Sequence, residues 1–314
     1  MTFTAFKAAA SALGAAAILA AGSAAHADGL HAGYAIPDNT SDTGLASYDG
    51  ALNQTGSFVT PREAVGLAAG GGSLFVSSLD GPTNYLERYG LDGVQTGSYA
   101  LGPLVTPGAL AFGGGALYGA FATLTLGGDI YSINDFTPDF GFGSSLNIIL
   151  PTMATGLAYG DGNLFVAYDS TLARYDLTGQ LLGSYDFGTV SLGALTYGAG
   201  QLFAAYQSGA SFGFASVDPL TFLAGGANVS TDSQVNGLAF GDGGIFASFE
   251  HGIARYDLAG QQVASLDTGR QVNGPLAYAA TSAAPEPAAW ALMILGFGAA
   301  GAALRSRRRP FAVI

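Results

Sequence analysis

The sequence predicts an all-β fold, a six-bladed β-propeller of four-stranded antiparallel blades, and three observations carry the prediction. A segment of about 40 residues recurs along the chain, and that period belongs to propeller blades. Glycine is abundant, 49 of 314 residues, without a collagen-like period and alongside plentiful Phe, Tyr, Leu and Val. Tight turns between short strands account for that composition better than disorder does. Cysteine is absent, so neither disulfides nor thiolate metal sites stabilise the fold, and an apolar core must.

The repeat is clearest in two copies. "GLAYGDGNLFVAYDSTLARYDLTGQLLGSYDFG" at 156–188 returns as "GLAFGDGGIFASFEHGIARYDLAGQQVASLDTG" at 237–269. Weaker copies start at Gly66, Ala109 and Ala194, and a truncated one at Pro275. The second-position leucines, Leu67, Leu110, Leu157, Leu195, Leu238 and Leu276, follow one another at 43, 47, 38, 43 and 38 residues.

Within a unit, the first two strands flank Gly-Asp-Gly or Gly-Gly-Gly, a hairpin loop whose glycines supply positive φ. Asp161 and Asp242 therefore read as turn residues; calcium ligation would need a carboxylate-rich spacing that is missing. The third strand carries Arg-Tyr-Asp-Leu at 174–177 and 255–258, with Arg88-Tyr89-Gly90-Leu91 as a variant. Arg174 with Asp176, and Arg255 with Asp257, read as architectural pairs that join neighbouring strands or a hairpin. Thr178-Gly179 and Ala259-Gly260 form the second hairpin, which leads to the fourth strand.

The ring closes by complementary fragments. The segment 275–280 is a first strand with nothing after it, while "LASYDGALNQTGSF" at 45–58 matches third and fourth strands without a first. Pairing the two completes one blade and removes exposed sheet edges; a solenoid is the alternative. The period resembles secreted six-bladed propellers of the NHL and gluconolactonase-like kind, a likeness carried by the blade pattern alone.

Both ends of the chain read as addresses. Lys7, an apolar Ala-rich run and the small-x-small triplet Ala25-His26-Ala27 form a secretory signal peptide, residues 1–27, cut after Ala27. The propeller domain then spans 28–283. At the other end, 288–304 is an uncharged run just long enough to cross a bilayer as a helix. Arg305, Arg307, Arg308 and Arg309 follow it and should stay cytoplasmic, with Trp290 at the opposite interface.

Pro285-Glu286-Pro287, Trp290-Ala291, Met293-Ile294, Gly296-Phe297-Gly298 and the arginines resemble, in that order, the PEP-CTERM sorting signal of Gram-negative bacteria. The resemblance covers 284–314. It implies processing by an exosortase, a membrane protease, after handling by export machinery and signal peptidase. An inner-membrane-anchored intermediate would give a product at the cell surface or in the extracellular matrix, where polysaccharide is a further expected partner.

Between the two addresses the charge is strongly acidic: five arginines and no lysine face 21 acidic residues, a net −16. Such a domain is repelled by phosphate backbones, so nucleic acid is excluded as a partner. His31 and His251 are the histidines left after signal cleavage, and they lie far apart in sequence. Asp80, Asp169, Gln207, Glu250 and His251 follow the second strands, where loops open on the face of the blade-to-blade connections, and are expected to ring the channel mouth.

Three function classes follow. A non-catalytic displayed propeller with no cofactor or metal accounts for clear delivery signals and missing chemistry. A carbohydrate- or peptide-binding module is the alternative. A metal-dependent lactonase or hydrolase would need Asp80, Asp169 and Glu250 to converge on one point.

Overall fold

The computed structural model describes residues 29–35, 43–81, 83–269, 271–272 and 274–280. The signal-cleavage residues Ala25 and Ala27, the sorting residues Pro285, Glu286, Pro287 and Trp290, the run 288–304 and the terminal arginines lie outside them. Among the described residues no helix is long and apolar enough to cross a membrane.

Among the described residues twenty-four strands form six sheets of four. β1 (Gly29–Ala35), β2 (Thr43–Tyr48) and β3 (Gln54–Thr60) open the chain. Blade 1 is β4 (Glu63–Gly70), β5 (Ser73–Leu79), β6 (Asn84–Gly90) and β7 (Gln95–Gly102). Blade 2 is β8 (Val105–Gly113), β9 (Ala116–Thr125), β10 (Gly128–Phe136) and β11 (Phe142–Leu150). Blade 3 follows as β12 (Gly156–Gly160), β13 (Asn163–Tyr168), β14 (Thr171–Tyr175) and β15 (Leu181–Asp186). Blade 4 is β16 (Ser191–Gly198), β17 (Gln201–Ser208), β18 (Ser211–Val217) and β19 (Ala224–Thr231). Blade 5 is β20 (Gly237–Gly241), β21 (Gly244–Phe249), β22 (Gly252–Tyr256) and β23 (Gln262–Asp267), and β24 (Leu276–Ala279) ends the series.

β24 pairs antiparallel with β1, placing Leu276 opposite Ala32 and Ala277 opposite His31. The closing blade therefore runs β24-β1-β2-β3, joining the two ends of the domain. This is the all-β six-bladed architecture that the repeat predicts.

The turns follow from residue type. Asp161 and Gly162 have φ of 47° and 72°, and Asp242 and Gly243 have 48° and 67°. Two successive positive φ values define the type I′ hairpin, whose twist matches the flanking strands. In the second hairpin Asp176 Oδ1 accepts bonds from the Thr178 and Gln180 amides at 2.9 Å, and Gly179 takes φ 86°. Asp257 and Asp49 hold their own turns in the same way.

The core lies in the seams between blades. A ring from the second strand of one blade stacks on a ring from the first strand of the next: Phe75 on Phe112, Tyr118 on Tyr159, Phe165 on Tyr197, Phe203 on Phe240 and Phe246 on Tyr278, with centroids 5.3–6.4 Å apart and planes within 19°. Offset stacking of this kind adds to the area buried. Glycine makes room for it, because a Cβ on Gly160 would stand 2.2 Å from the Tyr197 ring. Gly70, Gly113, Gly198 and Gly241 face Phe112, Tyr159, Phe240 and Tyr278 in the same manner.

The sixth seam, between the closing blade and blade 1, differs. By register its positions are His31 and Ala69, which cannot form such a stack. His31 is 4% exposed, and its Nδ1 lies 2.9 Å from Ser47 Oγ. Burial lowers its pKa to about 4, so the imidazole is neutral in the fold.

Candidate functional site

The central channel is lined by the first strands, the innermost in each blade. One end is walled by Gly66, Leu67, Leu110, Leu157, Asn236 and Leu276 among others, the opposite end by Phe112, Tyr159, Tyr197, Phe240 and Tyr278 with their neighbours. The two volumes are about 160 and 170 Å³, and among the described residues no carboxylate, histidine or arginine lines either.

The five residues expected at the mouth are spread over four blades and mostly engaged locally. Asp80 accepts a bond from Arg62 Nε at 3.0 Å in blade 1. Asp169, in the left-handed region at φ 48°, accepts one from Thr152 Oγ1 at 2.9 Å beside blade 3. Gln207 Nε2 donates to its own hairpin at Gly209 O, 3.2 Å away. Glu250 and His251 are adjacent on one hairpin of blade 5, 3.6 Å apart and about two-thirds exposed. Among the described residues no group of three or more acidic or histidine side chains is placed to hold a metal ion.

The strongest polar cluster was not singled out from the sequence. Glu87 on β6 is fully buried in the seam facing the closing blade. Arg62 Nη1 donates to its Oε1 at 2.5 Å, Gln95 Nε2 to the same oxygen at 3.0 Å, and Ser78 Oγ to Oε2 at 2.9 Å. The guanidinium also lies 3.9 Å from the centre of the Tyr85 ring. Burial opposes the charge on Arg62, but the bonds to Asp80 and Glu87 outweigh it and hold the guanidinium above its ordinary pKa. Burial, and then the Glu87 charge, push the Tyr89 hydroxyl up. Every acceptor of the buried carboxylate is thus met, the condition for tolerating a charge there.

A signal for this cluster does exist in the repeat. The position of Glu87 is Ala46, Ala173, Ala215 and Ala254 in four other blades, and Asn134 in blade 2. A glutamate in an alanine column marks a seam in which a carboxylate is fully buried.

The Arg-Tyr-Asp element needs a correction. Arg174 and Arg255 do not pair with Asp176 and Asp257, which are occupied by their own turns. Arg174 Nη1 donates to Pro219 O at 3.2 Å, and Arg255 Nη1 to Gly50 O at 2.9 Å, each in the outer hairpin of the next blade. Arg88 reaches Pro138 O in the same way. These arginines clamp one blade to the next because residues two apart on a strand share a face, yet the aspartate lies beyond the strand end, where the chain has turned.

Two clefts open on the outer part of the ring, on either side of β23. One, of about 390 Å³ between blades 4 and 5, is lined by Asp232, His251, Tyr256, Gln262, Ser265 and Asp267 among others. The second, of about 480 Å³ between blade 5 and the closing blade, repeats that set as Tyr48, Gln54 and Ser57, again with Asp267. His251 is the member of the expected mouth group that lines a cleft.

Fold and seams define a ring-closed six-bladed propeller. Among the solved structures that resemble it are a protein of unknown function from Bacteroides caccae, 13% identical with a TM-score of 0.61 over 81% of this chain and 100% of that one, and a chain of the nidogen/laminin complex, 12% identical with a TM-score of 0.60 over 81% and 98%. At such identities the likeness concerns the fold. No curated protein matches the sequence. Residues 283–309 match the PEP-CTERM protein-sorting motif, so the chain is an exosortase-targeted exported protein carrying a β-propeller.

Proposed function

We propose that the propeller is a non-catalytic module displayed at the cell surface or in the extracellular matrix once an exosortase has removed the tail. The observation that carries this reading is the sorting motif at 283–309, directly behind a closed ring. Supporting it, the buried charge of the ring is spent on architecture, in the Arg62 cluster and the interblade arginine clamps. The acidic surface keeps such a module soluble outside the cell and away from anionic headgroups. Extracellular polysaccharide is a partner consistent with that setting.

Mass spectrometry of the native C-terminus tests the reading. Surface or matrix material should lack 290–314, and loss of the exosortase should leave the chain in the inner membrane. Surface material that still carries Arg307, Arg308 and Arg309 would make the tail a plain anchor.

A further inference from the structure

The cleft between blades 4 and 5 corresponds, position by position, to the seam filled by Arg62 and Glu87. Thr60 and Thr231 end the outer strands β3 and β19, and each hydroxyl donates to the carbonyl two residues on, that of Arg62 at 3.0 Å and that of Ser233 at 2.8 Å. Ser233 therefore stands where Arg62 stands. Ala254 takes the place of Glu87, since they pair with the equivalent residues Ala247 and Val76. Tyr256 with Gln262 repeats Tyr89 with Gln95, paired across the same bulge.

Replacing an arginine by serine and a glutamate by alanine empties the seam, and the opening is the 390 Å³ cleft. What remains is short of partners. Tyr256 is 5% exposed, among the described residues its hydroxyl has no hydrogen-bond partner, and burial and then the Asp232 charge raise its pKa. Among the described residues the Asp232 carboxylate has neither a hydrogen bond nor an ion pair, and the Gln262 amide lacks the acceptor that Gln95 finds in Glu87. Asp267 adds a second carboxylate, and among the described residues no arginine or lysine lines the cleft. Of the described residues the Asp267 carboxylate accepts only the Gly269 amide at 2.8 Å, and two carboxylates facing one cleft in an acidic domain attract a cation.

We propose that this cleft binds a guanidinium group, supplied from outside, in the role that Arg62 fills within blade 1. A guanidinium is favoured over a simple ammonium because its planar donors can reach carboxylates on two elements at once, as those of Arg62 reach Asp80 and Glu87. Asp232 and Asp267 offer acceptors from two blades, and the Tyr256 hydroxyl can accept a further N–H. The inference goes beyond display outside the cell and stands whether or not that reading holds.

A free arginine and an arginine side chain in a peptide share this chemistry, and one titration separates them. The purified full-length chain, in a polyoxyethylene detergent, is titrated calorimetrically with capped Gly-Arg-Gly, the same peptide with citrulline, free arginine and methyl glucoside. The arginine peptide should bind, and its neutral citrulline twin should bind at least about tenfold more weakly. Asp232→Asn and Tyr256→Phe should each weaken binding several-fold, while Asp92→Asn, on a turn of blade 1, should not. Ser233→Arg with Ala254→Glu should refill the cleft and abolish binding; if that pair fails to fold, Asp232→Asn decides alone. Free arginine binding as well as the peptide supports the site and makes a small molecule its source. Equal affinity for citrulline, indifference to Asp232→Asn, binding of the glucoside alone, or no binding at all overturns the proposal.

Discussion

Gly160→Ala tests the claim that glycine creates the space for the interblade ring stacks. Gly160 lies in ordinary strand backbone, so the substitution introduces no φ penalty, and its effect is steric. The new Cβ would come within 2.2 Å of Cγ and Cδ1 of Tyr197. That ring has little freedom to yield: it stacks on Phe165 with centroids 5.6 Å apart and planes 5° from parallel, and its hydroxyl bonds to Asp161. Overpacking of this kind costs about 1–3 kcal/mol. In a domain of this size each kcal/mol moves the melting temperature by roughly 2–4 °C, so a fall of about 2–12 °C is expected. Calorimetry of Gly160→Ala beside Gly226→Ala measures it, since a Cβ on Gly226 meets nothing within 4 Å. Adding Tyr197→Ala should make the Gly160→Ala penalty nearly vanish, a coupling that only a direct contact produces. Equal melting temperatures for Gly160→Ala and Gly226→Ala would refute the steric account.

Two further predictions concern the seam that lacks a ring stack. His31 has a folded pKa of about 4 against an ordinary 6.5, so the unfolded chain takes up its proton first as the pH falls. Stability is unaffected by this group above pH 6.5 and declines by up to about 3 kcal/mol between 6.5 and 4. Denaturant melts across that window should flatten in His31→Phe, which places there the residue found in blades 1, 3, 4 and 5; an unchanged slope would acquit His31. Arg62→Ala leaves Glu87 buried without its cation and should destabilise the domain by about 3–5 kcal/mol. Arg62→Ala with Glu87→Ala reproduces the small-residue arrangement of blade 5 and should recover most of that loss in chemical unfolding. No recovery would mean that packing, not charge, sets the cost.

The sequence by itself determined the period, the strand-and-turn grammar within it and the sorting motif, because each rests on residues close together along the chain. Leu67, Leu110, Leu157, Leu195, Leu238 and Leu276 mark the innermost strands, and Asp161-Gly162 marks a hairpin, without any knowledge of neighbours. Only the tertiary structure decided what meets across a seam. Arg174 has Asp176 two residues away in sequence yet donates to Pro219, 45 residues on, because the carboxylate is taken by its own turn and the next blade presents a free carbonyl. Glu87 looks like one more solvated charge beside Arg88, until the ring places it against Arg62 in a seam closed to water. The cleft at Tyr256 was hidden for the same reason: an opening exists where two side chains from different strands are both small, and neither Ser233 nor Ala254 alone announces it. Periodicity is a local property of the chain, whereas burial, pairing and vacancy depend on which surfaces the closed ring brings together.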